Sequence, residues 1–220
     1  MENNKVTLGY WKIRGLASSI RYLLEHCNVQ YDQDFYIQGD APEFSRNDWL
    51  DKKLTLNLDF PNLPYFIDGT LKFTESQAIM RYICNKWNPE LLGKSNADKA
   101  QVDMLSGVIR DTYGPVISHC YGDGNKLKLV EESFASVSMI VKYLGNKKFL
   151  VGDYVTFVDF IFYEFLELVD FVSEGKVHAE SPTLKAYKEN VEKLEKMQEH
   201  MKSDRFVKRP FNNKVAKINN

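Results

Sequence analysis

Cysteine is scarce in this chain of 220 residues: Cys27, Cys84 and Cys120 are its only three, widely spaced and never in a Cys-x-x-Cys pair. An odd, scattered set argues against a disulfide framework and a zinc site, and the missing pair argues against dithiol redox chemistry. A reducing cytoplasm is the expected location. Long apolar runs are also lacking, since none approaches the ~18 residues of a membrane span. The opening Met1-Glu2-Asn3-Asn4-Lys5 has no apolar stretch of the kind a secretory signal requires. There is no excess of one charge: 29 Lys and Arg stand against 30 Asp and Glu. Neither nucleic acid nor an anionic membrane is therefore an expected partner, and a small molecule is. His26, His119, His178 and His200 are scattered, so no metal is assigned.

What is present is periodicity that changes along the chain. Val6 and Leu8 alternate with polar residues up to Gly9, after which Ala17, Ile20, Leu23, Leu24 and Cys27 recur at helical spacing. A second strand is expected at Phe35-Tyr36-Ile37, followed by the loop residues Gly39-Asp40-Ala41-Pro42 and a polar segment carrying Trp49. Tyr65-Phe66-Ile67 and Leu71-Lys72-Phe73 flank Asp68-Gly69-Thr70, a strong hairpin signal. Ala78, Ile79, Tyr82 and Ile83 then mark a helix, giving the order β-α-β-β-α. Asn88-Pro89-Glu90 and Gly93 interrupt the pattern and divide residues 1–87 from residues 88–220. Beyond them every stripe is helical. A long helix through Val102, Leu105, Ile109 and Val116 is expected to bend at Gly114-Pro115. Thr156-Phe157-Val158-Asp159 has capping-box spacing before a very apolar helix from Phe160 to Leu168. The fold class is α+β, with a small mixed sheet domain first and an all-helical domain second.

Certain segments carry more than fold. Gly9-Tyr10-Trp11-Lys12-Ile13-Arg14-Gly15-Leu16-Ala17, Leu58-Asp59-Phe60-Pro61-Asn62-Leu63-Pro64-Tyr65, Thr156-Phe157-Val158-Asp159-Phe160 and Met201-Lys202-Ser203-Asp204-Arg205-Phe206 resemble the mu class of cytosolic glutathione S-transferases nearly end to end. The resemblance implies a thioredoxin-like first domain, a helical second domain, a homodimer and glutathione as co-substrate, with no further cofactor. It implies that Tyr10 hydrogen-bonds the glutathione sulfur, and that Trp11, Leu16, Arg46, Trp49, Lys53, Asn62, Leu63, Pro64, Glu75 and Ser76 hold the tripeptide. Asp111 would reach the glutathione of a second subunit, Ile13 and Tyr121 would line the electrophile site, and Phe60 would insert into the partner. The chain departs from the pattern at Glu75, where glutamine is usual, and at Asn212, where an aromatic is usual.

The chemistry suits these residue types. A thiol of pKa about 8.5 is only a few per cent thiolate at neutral pH, and a phenol of pKa about 10 is a proton donor there. A hydrogen bond to the charged sulfur is worth roughly 1.5–3 kcal/mol, or ~1–2 pKa units. Outside the resemblance, Tyr10 reads as a packing aromatic at a strand end, Pro64 as a turn proline, Glu75 and Ser76 as helix-end residues, and Lys53 as a solvated charge. The expected activity is conjugation of the thiolate to hydrophobic electrophiles, a detoxifying reaction. A non-catalytic scaffold on the same fold and a sigma-class glutathione-dependent isomerase are the alternatives.

Overall fold

The computed structural model describes residues 6–122, 125–179 and 181–218, so the opening pentapeptide lies outside it. Strand β1 (Val6–Trp11) is followed by helix α1 (Gly15–His26), strand β2 (Tyr31–Tyr36), helix α2 (Asn47–Lys53), strands β3 (Tyr65–Asp68) and β4 (Leu71–Thr74) and helix α3 (Ser76–Trp87). The sheet order is β2-β1-β3-β4. β1 runs parallel to β2, with Val6 opposite Tyr31, and antiparallel to β3, with Val6 opposite Asp68. A parallel pair needs a crossover, which α1 supplies, whereas Gly69 at φ +61° lets β3 turn directly into β4.

β2 begins earlier than the apolar cluster Phe35-Tyr36-Ile37 suggests. After the buried Tyr31, Asp32-Gln33-Asp34 are polar because the strand lies at the sheet edge, where charge discourages pairing with another chain. The segment around Trp49 is the short helix α2, with Trp49 as its one buried residue.

A 3₁₀ turn, Pro89–Leu92, leads into the helical part: α4 (Asn96–Tyr121), α5 (Lys126–Leu144), α6 (Phe157–Val172), the single turn α7 (Lys176–Ala179), α8 (Pro182–Glu192) and α9 (Glu195–Lys202). Ser95 and Asp98 exchange side-chain and backbone hydrogen bonds at the start of α4, which continues as one helix through Gly114 and Pro115. α6 buries residues all round its axis, as a central helix must. Its first turn is held by the fully buried Asp159, whose carboxylate accepts hydrogen bonds from the Thr156 N–H, the Leu150 N–H and the Tyr187 hydroxyl at 2.8–3.0 Å. Helix α1 packs against the sheet domain's α3 on one side and against α6 on the other, so one continuous core joins the two halves. Among the described residues no helix is long and apolar enough to cross a membrane, and no group of three or more His, Cys, Asp or Glu converges on a metal-sized site.

Candidate active site

The site starts where β1 runs out. Tyr10 lies at the C-terminal end of the strand with only 8% of its surface exposed. Two glycines make room at this strand end, Gly9 for the Tyr65 ring and Gly15 for Tyr10. A Cβ on Gly9 would stand 2.1 Å from the Tyr65 ring, and one on Gly15, at φ +43°, would stand 2.8 Å from the Tyr10 hydroxyl oxygen. The loop can therefore fold back until the Leu16 N–H donates to that oxygen at 3.2 Å. Burial pushes the Tyr10 pKa up to about 12, against the lowering effect of the Leu16 hydrogen bond. The phenol is thus protonated at neutral pH, and an oxygen that already accepts one hydrogen bond is a stronger donor of the next.

The loop is pinned from below by residues that sequence reasoning passed over. Arg14, 3% exposed, meets Glu164 of α6 through Nε and Nη2 at 2.7–3.2 Å, and the Tyr22 hydroxyl donates to the same carboxylate at 2.9 Å. Burial pushes the Glu164 carboxyl up, while the opposed charge of Glu164 holds Arg14 protonated despite its own burial. Arg21 donates to the Ile13 carbonyl at 2.9 Å, and the C-terminal segment accepts the Arg14 and Gly15 N–H groups on the carbonyls of Pro210 and Phe211. A signal was present: Glu164 interrupts the apolar run Phe160 to Leu168, and a carboxylate there needs a buried partner.

Ahead of β3, the Leu63-Pro64 peptide bond is cis and the Asn62 side-chain oxygen accepts the Leu63 N–H at 2.9 Å. Glu75, exposed at φ +74°, turns the chain into α3 without placing its side chain on the helix end. The N-terminus of α3 consequently has no side-chain cap, leaving its first amides free for an anion. Leu16, Glu75 and Ser76 line one cavity of about 260 Å³ together with Gly15, Arg110 and Tyr113.

The remaining candidates lie outside that cavity. Trp49 is buried between Tyr36 and Tyr65, with ring centroids 5.1 and 6.1 Å away. Trp11 is half-buried and packs edge-on against Tyr36. Arg46 is exposed at the start of α2 and Lys53 half-buried at its end. Asp111 is exposed on α4, 3.6 Å from the guanidinium of Arg110. Ile13 is buried, and it lines a smaller recess of about 120 Å³ with Tyr36, Gln38, Pro210 and Asn213. The Tyr121 hydroxyl accepts the Asn213 N–H at 2.9 Å, so the tail rests on it. Asn212 is buried and donates to the Ile218 carbonyl, filling its place in the tail with a polar contact. Phe60 stands apart from all of these, 80% exposed.

Comparison with known proteins agrees with this architecture. Residues 6–85 match the family model described as glutathione S-transferase, N-terminal domain, and residues 110–204 match that described as glutathione S-transferase, C-terminal domain. The chain is 41% identical to glutathione S-transferase Mu 5 of Mus musculus over 223 aligned positions, covering 100% of this chain and 98% of the relative. It is 43% identical to glutathione S-transferase Mu 1 of Macaca fascicularis, covering 96% of this chain and 97% of the relative. The crystal structure of the glutathione S-transferase Blo t 8 superposes with a TM-score of 0.86 at 28% identity, covering 97% of this chain and 100% of that one.

Proposed function

The chain belongs to the mu class of the glutathione S-transferases, and from that premise we propose how its own residues perform the transfer of glutathione to electrophiles. The observation that carries the reading is the buried Tyr10 hydroxyl, already accepting the Leu16 N–H and aimed by a loop with no room for a side chain at Gly15. With its pKa raised, Tyr10 does not take the thiol proton. It donates a hydrogen bond to the sulfur after the proton has left for solvent, and so stabilises the thiolate that attacks. The sulfur forms a bond to the electrophilic carbon; in a displacement the leaving group departs with the bonding electron pair and the negative charge, and in an addition the pair moves onto the electrophile, which then takes a proton from solvent.

The uncapped start of α3 suits the γ-glutamyl carboxylate, with the Ser76 hydroxyl as a further donor and Glu75 as an acceptor for the ammonium. The Leu63 backbone beside Asn62 suits the cysteinyl amide as an added strand, and Lys53, Arg46 and Trp49 suit the glycyl end. Trp11, Ile13 and Tyr121 form the apolar side of the cleft. Residues 1–87 would then be the glutathione-binding domain and 88–220 the domain that completes the electrophile site.

A cytoplasmic homodimer fits this reading. Phe60 is exposed, Met104 and Val108 lie exposed one turn apart on α4, and Asp111 continues along that helix. A second copy would cover the apolar residues and bring Asp111 to the neighbouring glutathione.

Tyr10→Phe tests the mechanism, because it deletes one oxygen and keeps the ring. The variant is expected to bind glutathione and to lose about 1.5–3 kcal/mol of thiolate stabilisation, which is roughly ten- to hundred-fold in rate near neutrality with recovery at higher pH. Wild-type turnover with an unshifted ultraviolet titration of the bound thiol would leave Tyr10 a packing aromatic.

A further inference from the structure

The cavity at the start of α3 has one more charge in its walls than the γ-glutamyl assignments use. Three side chains that are charged at neutral pH line its 260 Å³: Glu75, Glu164 and Arg110. Glu164 is already neutralised, because Arg14 meets it at 2.7 Å. One acid and one base remain, and among the described residues they make no ion pair with each other.

Helix α4 decides which of its residues reach the cavity. Arg110 and Tyr113 are three apart and so share a face, and Tyr113 is set by its edge-on contact with Phe165 of α6, ring centroids 5.4 Å apart. Asp111, one position on, is turned about 100° around the axis and lies outside the lining. The one ion pair of Arg110 is with that neighbour, at 3.6 Å, and the two side chains are 71% and 76% exposed. A pair so open to water contributes little, so the guanidinium gives up little on turning to a bound anion.

The complement of one acid and one base is an α-amino-acid head, and glutathione carries one at its γ-glutamyl end. Its carboxylate is assigned to the uncapped amides of α3 and its ammonium to Glu75. Glu75 stands where glutamine is usual, so a fixed negative charge lines a cavity that must take a carboxylate. Arg110, the one cation in the lining, offsets that charge.

We propose that Arg110 is a further glutathione-binding residue, pairing with the α-carboxylate of the γ-glutamyl group from within the same subunit and making the enzyme selective for thiols with a free α-amino-acid head. This rests on the reading that the start of α3 receives that carboxylate. A guanidinium can meet a carboxylate through two parallel N–H bonds, so it fixes the orientation of the head as well as its charge. The head is distant from the sulfur, and the effect is therefore on binding rather than on the chemical step.

Two tripeptides test the assignment: glutathione, and the analogue with 4-aminobutyryl in place of γ-glutamyl, which lacks only the α-carboxylate. Their dissociation constants for the full chain are read by calorimetry, and KM and kcat by conjugation. Arg110→Gln is expected to weaken glutathione about tenfold and to raise its KM in step, with kcat far less affected, while the analogue binds it within about twofold of its wild-type affinity. Arg110→Lys keeps the charge and should recover most of the loss. Raising the salt should weaken glutathione more in the wild type than in Arg110→Gln. The proposal is overturned by unchanged glutathione binding in Arg110→Gln, by an equal loss for both tripeptides, which would make Arg110 a structural residue, or by Arg110→Lys behaving no better than Arg110→Gln. A wild type that binds both tripeptides equally well is a different failure: it removes the carboxylate from the start of α3, and with it the reading on which the role of Arg110 depends.

Discussion

Tyr10 is 8% exposed and its hydroxyl is met by the Leu16 N–H, whereas Phe60 in the same domain is 80% exposed and belongs to neither apolar cluster among the described residues. The first region is finished within one chain: Arg14, Glu164, Tyr22 and the tail carbonyls leave its loop one conformation. The second region is not finished within one chain. A packed loop aims a catalytic group, and an unpacked aromatic holds surface in reserve for a partner. Changes in the first should accordingly damage the isolated subunit, and changes in the second should spare it.

Glu164→Ala presses hardest on that contrast. It leaves the buried Arg14 guanidinium with only Glu167, 3.4 Å from Nη1, as an acidic partner, and breaking a buried ion pair costs about 3–5 kcal/mol. A large drop in the denaturant midpoint is expected, together with loss of activity. A drop no larger than that of an exposed substitution would mean that the Tyr10 loop is held by something other than this pair.

His200 gives an effect of similar size but dependent on pH. Its ring is buried beside Tyr22 and Phe206, and neither ring nitrogen has a hydrogen-bond partner among the described residues. Burial, then the positive charges of Arg205 and Arg21, lower its pKa from 6.5 to about 4, which outweighs the Glu25 carboxylate 3.6 Å from Nδ1. Between those values the unfolded chain binds a proton that the folded chain refuses. Stability is thus fully present above about pH 6.5 and falls as pH drops toward 4, by roughly 3 kcal/mol at most from this group. Unfolding curves at pH 7 and pH 5 should differ in the wild type and differ less in His200→Gln.

Phe60→Ser sharpens the other half of the comparison. Burying a phenylalanine is worth about 1.5–3 kcal/mol, so its loss should move sedimentation toward monomer while the unfolding of each subunit, read by near-ultraviolet circular dichroism, changes little. An unchanged dimer would take the partner contact away from Phe60. The smallest effect is expected at Glu75→Ala, where removal of one exposed acceptor should raise the KM for glutathione by about 1–2 kcal/mol equivalent and leave kcat nearly unaltered. A collapse in kcat at constant KM would place Glu75 in the positioning of the thiol.

The architecture was largely legible in the order of residues. Period-2 and period-3.6 patterns located β1, α1, the β3-β4 hairpin, α3 and α4 because each buries one regular face, and a continuous apolar run located α6, whereas the short helices α7 and α9 carried no stripe that marked them. Local chemistry was equally readable where the groups that interact are close in sequence, as with Thr156 and Asp159, and Ser95 with Asp98 shows the same pattern at a boundary that apolar spacing had not marked. β2 was misjudged by four residues at its start because an edge strand satisfies half its hydrogen bonds with solvent and carries no apolar alternation to read.

The amino-acid sequence by itself determined the element order, the family and the presence of a tyrosine at the end of β1. Only the tertiary structure decided that Leu16 presents its N–H to that tyrosine, that Glu164 meets Arg14 across 150 positions, that the tail rests on Tyr121, and that Arg110 shares a cavity with Glu75 and Ser76. The physical reason is range. A pattern of hydrophobicity is set by each residue's own transfer free energy and repeats along the chain, whereas a hydrogen bond or an ion pair is set by distance in space, which no stretch of sequence contains until the core has closed.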